Sequence, residues 1–463
     1  MKFLLTAFLC FLCVVKAEDR PNIVMIFIDD MGWSDFSCFG NSDAQTKNID
    51  TLAAEGICFE QFYVNSPICS PSRVAISTGQ YPQRWKINSY LARREVNKKR
   101  GMANWLDPKA PMLARSLKQA GYATGHFGKW HMGGQRNVGD APLITEYGFD
   151  ESLTNFEGLG PRLLPLVRTP QKPQFRKIWQ DSEKLGRGEI FWTDRAKITD
   201  EFTKASIKFI QKAQADNKPF YINLWPDDVH SPFYPTLEGW HRGADKRSLY
   251  LSVLEEMDSQ FAQLFDFIKA DPKLKNNTLI LICSDNGPEK DAGQAANLKG
   301  YKTHLYEGGI RSSLIAWGPG ILAEDKQGTR NKQSVFFAID IVPSILKLAG
   351  VNSQENYDGE DMADTLIGHS MASRKAPIYY DRPPDRKSYY GFQNLPDLAM
   401  RDGDWKLLCN YDGSNPQLYN ITNDAGEQNN LSDDHPELTQ KMIARLKAWK
   451  STLPQIRIKK EVQ

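Results

Sequence analysis

Runs of apolar residues that stop abruptly at polar ones set the frame of this chain. Residues 23–28 are all apolar and stop at Asp29-Asp30. Residues 220–225 repeat the device and release Asp227, Asp228 and His230. Residues 278–283 do so a third time and release Asp285-Asn286-Gly287. Near-continuous apolar runs of this length predict strands buried on both faces of a parallel sheet. Residues 122–127 read as a weaker strand, followed by Gly128-Lys129-Trp130-His131. In open α/β sheets ligands bind beyond the carboxyl ends of the strands, so four strands delivering polar residues there mark a site.

Helical stripes separate the strands. Phe202, Phe209, Ile210 and Ala213 keep one apolar face, and Tyr250, Val253, Met257, Phe261, Leu264 and Ile268 keep another. Residues 111–120 begin with Pro111 and end before Gly121, and residues 341–349 end before Gly350. After about residue 370 the pattern changes: residues 399–408 predict a hairpin turning at Asp402-Gly403, 417–420 a short strand, and Leu438, Met442, Leu446 and Trp449 a closing helix. The expected fold is α/β: a large mixed, mostly parallel sheet flanked by helices over residues 18–370, then a smaller α+β subdomain with an antiparallel sheet over 371–463. The Pro-rich, basic stretch 161–187 is expected to be a long surface insertion.

Residues 1–17 carry Lys2, an apolar run and small residues near Ala17, the pattern of a secretory signal peptide too short to span a membrane. Leu9 and Leu12 precede Cys10 and Cys13 where a lipoprotein signal needs a small residue, so export without a lipid anchor, to the periplasm or outside, is expected. Without this leader 56 basic residues face 56 acidic ones, a balance that offers nucleic acid or an anionic membrane no global field. Five cysteines remain, an odd number without a CxxC pair, which speaks against a zinc ribbon or a dithiol redox centre.

The chemistry gathers at Cys69-Ser70-Pro71-Ser72-Arg73. Ser70 as cap, Pro71 at the first helical position and Gly79 as stop predict a short helix with Cys69 at its mouth, where backbone N–H groups favour an anion and Arg73 can join them. Asp29, Asp30, Asp285 and Asn286 form an all-oxygen set that suits Ca²⁺ or Mg²⁺ better than zinc, although an Asp-Asp pair after a strand also serves as a turn.

These segments together resemble the type I, formylglycine-dependent sulfatases of the alkaline-phosphatase-like superfamily. The likeness rests on Cys69-x-Pro71-Ser72-Arg73 with Thr78-Gly79, on Gly128-Lys129-Trp130-His131-Met132-Gly133, on His230-Ser231-Pro232, and on Lys302 followed by Glu307-Gly308-Gly309-Ile310-Arg311. It extends over most of residues 20–450; Ser77, Asn420 and Ala425 depart from the family pattern.

The resemblance implies that Cys69 is oxidised to formylglycine by a maturation enzyme. It also implies one calcium ion, rather than magnesium, held by Asp29, Asp30, Asp285 and Asn286 and touching residue 69. Lys129, Lys302 and Arg73 would stabilise the sulfuryl oxygens, His131 would serve the residue-69 hydroxyl, and His230 would protonate the leaving oxygen. The expected substrate is a sulfated carbohydrate. Asp227, three residues before His230, resembles what galactosamine-6-sulfate sulfatases carry, which suggests a galactose or N-acetylgalactosamine 6-sulfate touched by Asp227, Asp228 and Tyr234. Trp105, Trp192 and Tyr234 could stack on sugar faces or serve the core. A phosphodiesterase or phosphonate monoester hydrolase of the same superfamily, a non-catalytic protein that binds sulfated glycans, and a thiol hydrolase using Cys69 and His131 remain alternatives.

Overall fold

The computed structural model describes residues 20–134, 136–382 and 390–454; the leader expected at 1–17 lies outside the described residues. In chain order the strands are β1 (Asn22–Ile28), β2 (Ile57–Tyr63), β3 (Ala123–Gly128), β4 (Glu151–Leu153), β5 (Arg162–Thr169), β6 (Lys172–Lys177), β7 (Ile190–Asp194) and β8 (Phe220–Trp225). They continue as β9 (Thr278–Ser284), β10 (Arg311–Trp317), β11 (Thr329–Asn331), β12 (Phe336–Phe337), β13 (Ile378–Asp381), β14 (Leu398–Asp402), β15 (Trp405–Cys409) and β16 (Gln417–Asn420).

A nine-stranded sheet runs β11-β2-β10-β9-β1-β8-β3-β4, with β12 also on β2. Only β10 runs against the others, pairing antiparallel with β2 and β9. All residues of β1, β8 and β9 are buried, as their unbroken apolar runs require. The side-chain alternation of β1 divides the core. Ile23, Met25 and Phe27 face one cluster with Leu113, Leu117, Val342 and Ile345. Val24, Ile26 and Ile28 face another with Phe202, Phe209, Met257 and Leu264. Helices therefore cover both faces, and the loops at the carboxyl ends are left for chemistry. The helices Ile198–Ala215, Lys246–Ala270 and Ile341–Leu348 follow the predicted stripes.

The stretch expected to be a loose insertion is ordered as a second sheet, β6-β5-β7. β6 is exposed throughout, whereas Leu163, Leu164 and Val167 of β5 are buried. β5 accommodates Pro165 with β7 paired parallel along it and β6 antiparallel beside it.

A third, antiparallel sheet, β13-β14-β15-β16, follows, with Gly403 at φ 55° in the turn between β14 and β15. Its apolar face, Met400, Leu407 and Leu418, packs on Met442 and Leu446 of the Pro436–Ser451 helix. Lys406 of β15 joins this sheet to the large one. Its buried Nζ lies 2.9 Å from Glu307 Oε1 and 2.8 Å from Glu427 Oε1. Tyr63 Oη donates to Glu307 Oε2 at 2.7 Å, and the Glu307 N–H donates to Glu427 Oε2 at 2.7 Å.

Candidate active site

The helix that carries Cys69 spans Cys69–Thr78, and each of its residues is buried. It ends where expected: Gly79, at φ +65°, donates its N–H to Ala75 O at 2.9 Å. Its start differs from expectation. Ile68 occupies the cap position without a side-chain cap, and Ser70 lies inside the helix. The Ser70 hydroxyl is instead engaged by the Leu91 N–H at 3.0 Å, tying the helix mouth to the following loop. Cys69 is 2% exposed, with Sγ 3.9 Å from Asp30 Oδ1.

β1 and β9 are neighbours, so their ends bring Asp29-Asp30 beside Asp285-Asn286. The Asp30 N–H donates to Asp285 Oδ1 at 3.1 Å, and Asn286 Nδ2 donates to Asp30 Oδ1 at 2.8 Å. Oxygens of Asp29, Asp30 and Asp285 and the Cys69 sulfur all lie within 4.8 Å of one another. Asn286 Oδ1 is buried without a hydrogen-bond partner among the described residues. Three converging carboxylates, with a buried amide oxygen unpartnered among the described residues on the side chain beside them, fit a divalent cation. Charge balance agrees. Burial would raise Asp29, but Lys129, His230 and Arg73 hold it well below the carboxylate range. Burial and the Asp29 charge push Asp285 upward, a strain that a cation relieves.

Arg73 does not reach out toward an anion as expected. Its Nη2 donates to Asp285 Oδ2 at 2.8 Å and to Asp29 Oδ1 at 3.1 Å, and its Nη1 to the Lys129 carbonyl at 3.0 Å. The guanidinium is wholly buried beneath the carboxylates, where its fork orients them. Lys129, just beyond β3, points its Nζ to Asp29 Oδ2 at 2.7 Å, and Lys302 points its Nζ to Asp30 Oδ2 at 2.5 Å. His230 Nε2 is 3.5 Å from the same Asp30 oxygen, and Nδ1 lies 2.7 Å from the Ser231 carbonyl, which fixes the ring. Burial and the two lysines lower the pKa of His230.

Cys69, Lys129, His131, His230 and Lys302 all line one cavity of about 300 Å³. A buried acceptor cluster, two lysines, two imidazoles and a residue at a helix mouth can bind a tetrahedral oxyanion and move protons around it. Burial, with Asp29 adding to it, pushes the Cys69 thiol well above its ordinary range, which argues against a thiolate nucleophile.

Three residues expected at the substrate are elsewhere. Asp227 is buried against Arg195 Nη1 at 2.5 Å and accepts from Asn155 Nδ2 at 2.5 Å. Asp228 accepts from Thr199 Oγ1 at 2.5 Å, and burial pushes its pKa up to about 7. Neither these two nor Tyr234 is on the cavity wall. The aromatic candidates differ too. Trp105 packs on Gly133, and Lys177 Nζ covers the Trp192 ring at 4.3 Å. The rings on the wall are Tyr90, Phe156, Trp179 and Tyr390, joined by Arg136, Glu157 and Glu289. None of these sits in a motif, and Trp179 lies in the stretch expected to be a surface insertion, so nothing in the local sequence marked them.

The family model described as Sulfatase matches residues 21–351, and one described as N-sulphoglucosamine sulphohydrolase, C-terminal, matches 301–452. The N-acetylgalactosamine-6-sulfatase of Canis lupus familiaris is 30% identical over 386 residues, 79% of this chain and 69% of that protein. The N-acetylgalactosamine-6-O-sulfatase of Bacteroides thetaiotaomicron is 27% identical over 512 residues, 94% of each. Among solved structures, Ps i-CgsB in complex with k-i-k-neocarrahexaose matches with a TM-score of 0.77 at 27% identity, over 94% of each chain.

Proposed function

This chain belongs to the sulfatase family and is a sulfuric ester hydrolase acting on carbohydrate, and from that premise we propose that it removes the 6-sulfate of a galactose or N-acetylgalactosamine residue, using a formylglycine made from Cys69 and one Ca²⁺. The convergence of Cys69, Lys129, Lys302, His131 and His230 on one cavity carries the reading. The names of the two curated relatives support the sugar and the position of the sulfate. Residues 18–370 would form the catalytic unit and 371–463 the smaller subdomain, exported by way of the leader at 1–17.

Asp29, Asp30, Asp285 and Asn286 would hold the cation beside residue 69. When bound, it supplies positive charge that polarises oxygens at residue 69 and on the sulfate, and a hydrated formylglycine supplies the attacking oxygen. Lys129 and Lys302 neutralise charge that spreads over the sulfuryl oxygens in the transition state. Arg73 keeps Asp29 and Asp285 in register. His230, its Nδ1–H held by the Ser231 carbonyl, serves as the acid in its imidazolium form, which Asp30 favours from 3.5 Å, and passes the Nε2 proton to the departing sugar oxygen with Lys302 assisting. His131 accepts a proton from the residue-69 hydroxyl in the step that frees sulfate.

A panel of defined sulfated mono- and oligosaccharides, run beside matched phosphate esters and phosphonate monoesters, tests the reading. Release of sulfate from galactose-type 6-sulfates is expected. Turnover confined to 2- or 4-sulfates would sink the substrate class, and faster turnover of phosphate esters or phosphonates would favour the neighbouring hydrolase chemistry.

A further inference from the structure

We propose that Glu157 is the positioning residue for His131: its carboxylate holds the imidazole proton on Nε2 and leaves Nδ1 as the proton acceptor in the cavity. The proposal rests on the role given to His131 above, and it deepens that role by saying which nitrogen works and what selects it.

Nε2 of His131 has two neighbours, and both can only accept. One is the Glu157 carboxylate, whose Oε2 lies against the ring nitrogen but off the line of a hydrogen bond; the other is the Leu91 carbonyl, the hydrogen-bond partner, at 3.3 Å. A bare Nε2 lone pair against two acceptor oxygens would be repelled by both, so this nitrogen carries the proton. Nδ1 is buried and has no hydrogen-bond partner among the described residues. A neutral imidazole protonated on one nitrogen has its lone pair on the other.

Glu157 is held for this task. The His131 N–H donates to the Glu157 carbonyl at 3.0 Å, so the two residues are joined through backbone as well as side chain. Both adopt left-handed backbone, φ 52° for His131 and 61° for Glu157, which non-glycine residues hold only where the surroundings impose it. Glu157 is 2% exposed, and Arg136 Nη2 stands 3.8 Å from its other oxygen. Burial would raise the carboxyl, but His131, Lys129 and Arg136 keep it ionised. Burial and Lys129 outweigh Glu157 on the ring and lower its pKa, keeping the imidazole neutral. A buried carboxylate beside a neutral imidazole orients a base without taking its proton.

Two measurements test this. In protein carrying the unmodified Cys69 thiol and selectively ¹⁵N-labelled histidine, with the His131 signals assigned through His131→Asn, long-range ¹H–¹⁵N spectra at neutral pH should show the Nε2-protonated tautomer. An Nδ1-protonated or doubly protonated ring would overturn the proposal. In matured enzyme, Glu157→Leu should lower kcat about 10- to 100-fold with KM little changed, while Glu157→Gln, which keeps an acceptor oxygen, should recover most of the loss. Unchanged kcat in Glu157→Leu, or equal losses in both variants that follow their Tm, would overturn it. Should the wild-type protein release no sulfate, the proposed function falls, and the tautomer measurement still decides the proton's place.

Discussion

Asn286 donates its amide to Asp30 at 2.8 Å across the gap between two adjacent parallel strands, and its own carbonyl oxygen is left buried without a hydrogen-bond partner among the described residues. One side chain thus fastens the ends of two strands together through its nitrogen and keeps an uncommitted oxygen beside them.

Chelation is the direct probe of that oxygen. Stripping divalent ions should lower Tm, and Ca²⁺ should restore it, since a ligand bound at a hundred times its Kd stabilises by about 2.7 kcal/mol. Asn286→Leu should lose this Ca²⁺-dependent gain while keeping its fold. Melting curves of both proteins with and without ion check it; no response to Ca²⁺ in the wild type would contradict the metal assignment.

His230 is tested through the leaving group. A sugar alkoxide needs a proton to depart, whereas nitrophenolate does not, and general acid catalysis contributes about 10²–10⁴ in rate. His230→Ala should therefore cripple the sugar sulfate far more than an aryl sulfate, provided that bond cleavage limits both rates. Lys129→Ala should harm both alike, because every substrate shares the sulfuryl oxygens. Equal losses in His230→Ala would pass the acid role to Lys302.

Asp227 was expected to touch substrate, and its burial against Arg195 and Asn155 predicts a different phenotype. Asp227→Asn removes the carboxylate in contact with the buried Arg195 and leaves Asp228 alone to balance it, so a loss approaching about 3–5 kcal/mol in stability is expected. Selectivity between sugar and aryl sulfates should stay as in the wild type. Thermal melts and paired kinetics separate the two; altered selectivity at unchanged Tm would restore the substrate contact.

Lys406 lies between the Glu307 and Glu427 carboxylates, where both sheets meet. Lys406→Met removes the cation that both carboxylates share and should cost about 3–5 kcal/mol. Glu307→Gln in the same chain should regain part of the loss by removing one of the two charges. A double-mutant cycle on Tm measures the coupling.

The sheet edge was legible because β1 and β9 are near-continuous apolar runs that stop at chemistry, Asp29-Asp30 and Asp285, and the weaker β3 ends at Lys129. Both faces of β1 and β9 are buried along their whole length, so local sequence alone specifies them. The second sheet was hidden for the opposite reason. β6 buries nothing, and its pattern carries no alternation to read. Glu157, Asn155 and Arg195 escaped for a third reason. They are placed by partners 26 to 72 residues away, which no short window along the chain contains, and Glu157 also by its left-handed backbone. Ser70 shows the converse error: the right residue for a cap, it is engaged by the Leu91 N–H instead.

The depth of Cys69 sets a timetable. At 2% exposure its side chain is closed to any second protein once the helix is seated. Asp285, one of the groups that bury it, is synthesised 216 residues later. Conversion of the thiol, which the proposed chemistry requires, thus has to occur in the interval between the emergence of Cys69 and the arrival of β9. Anything that hastens closure of the large sheet should yield more protein that is folded, stable and unmodified, so abundance and activity become separate quantities.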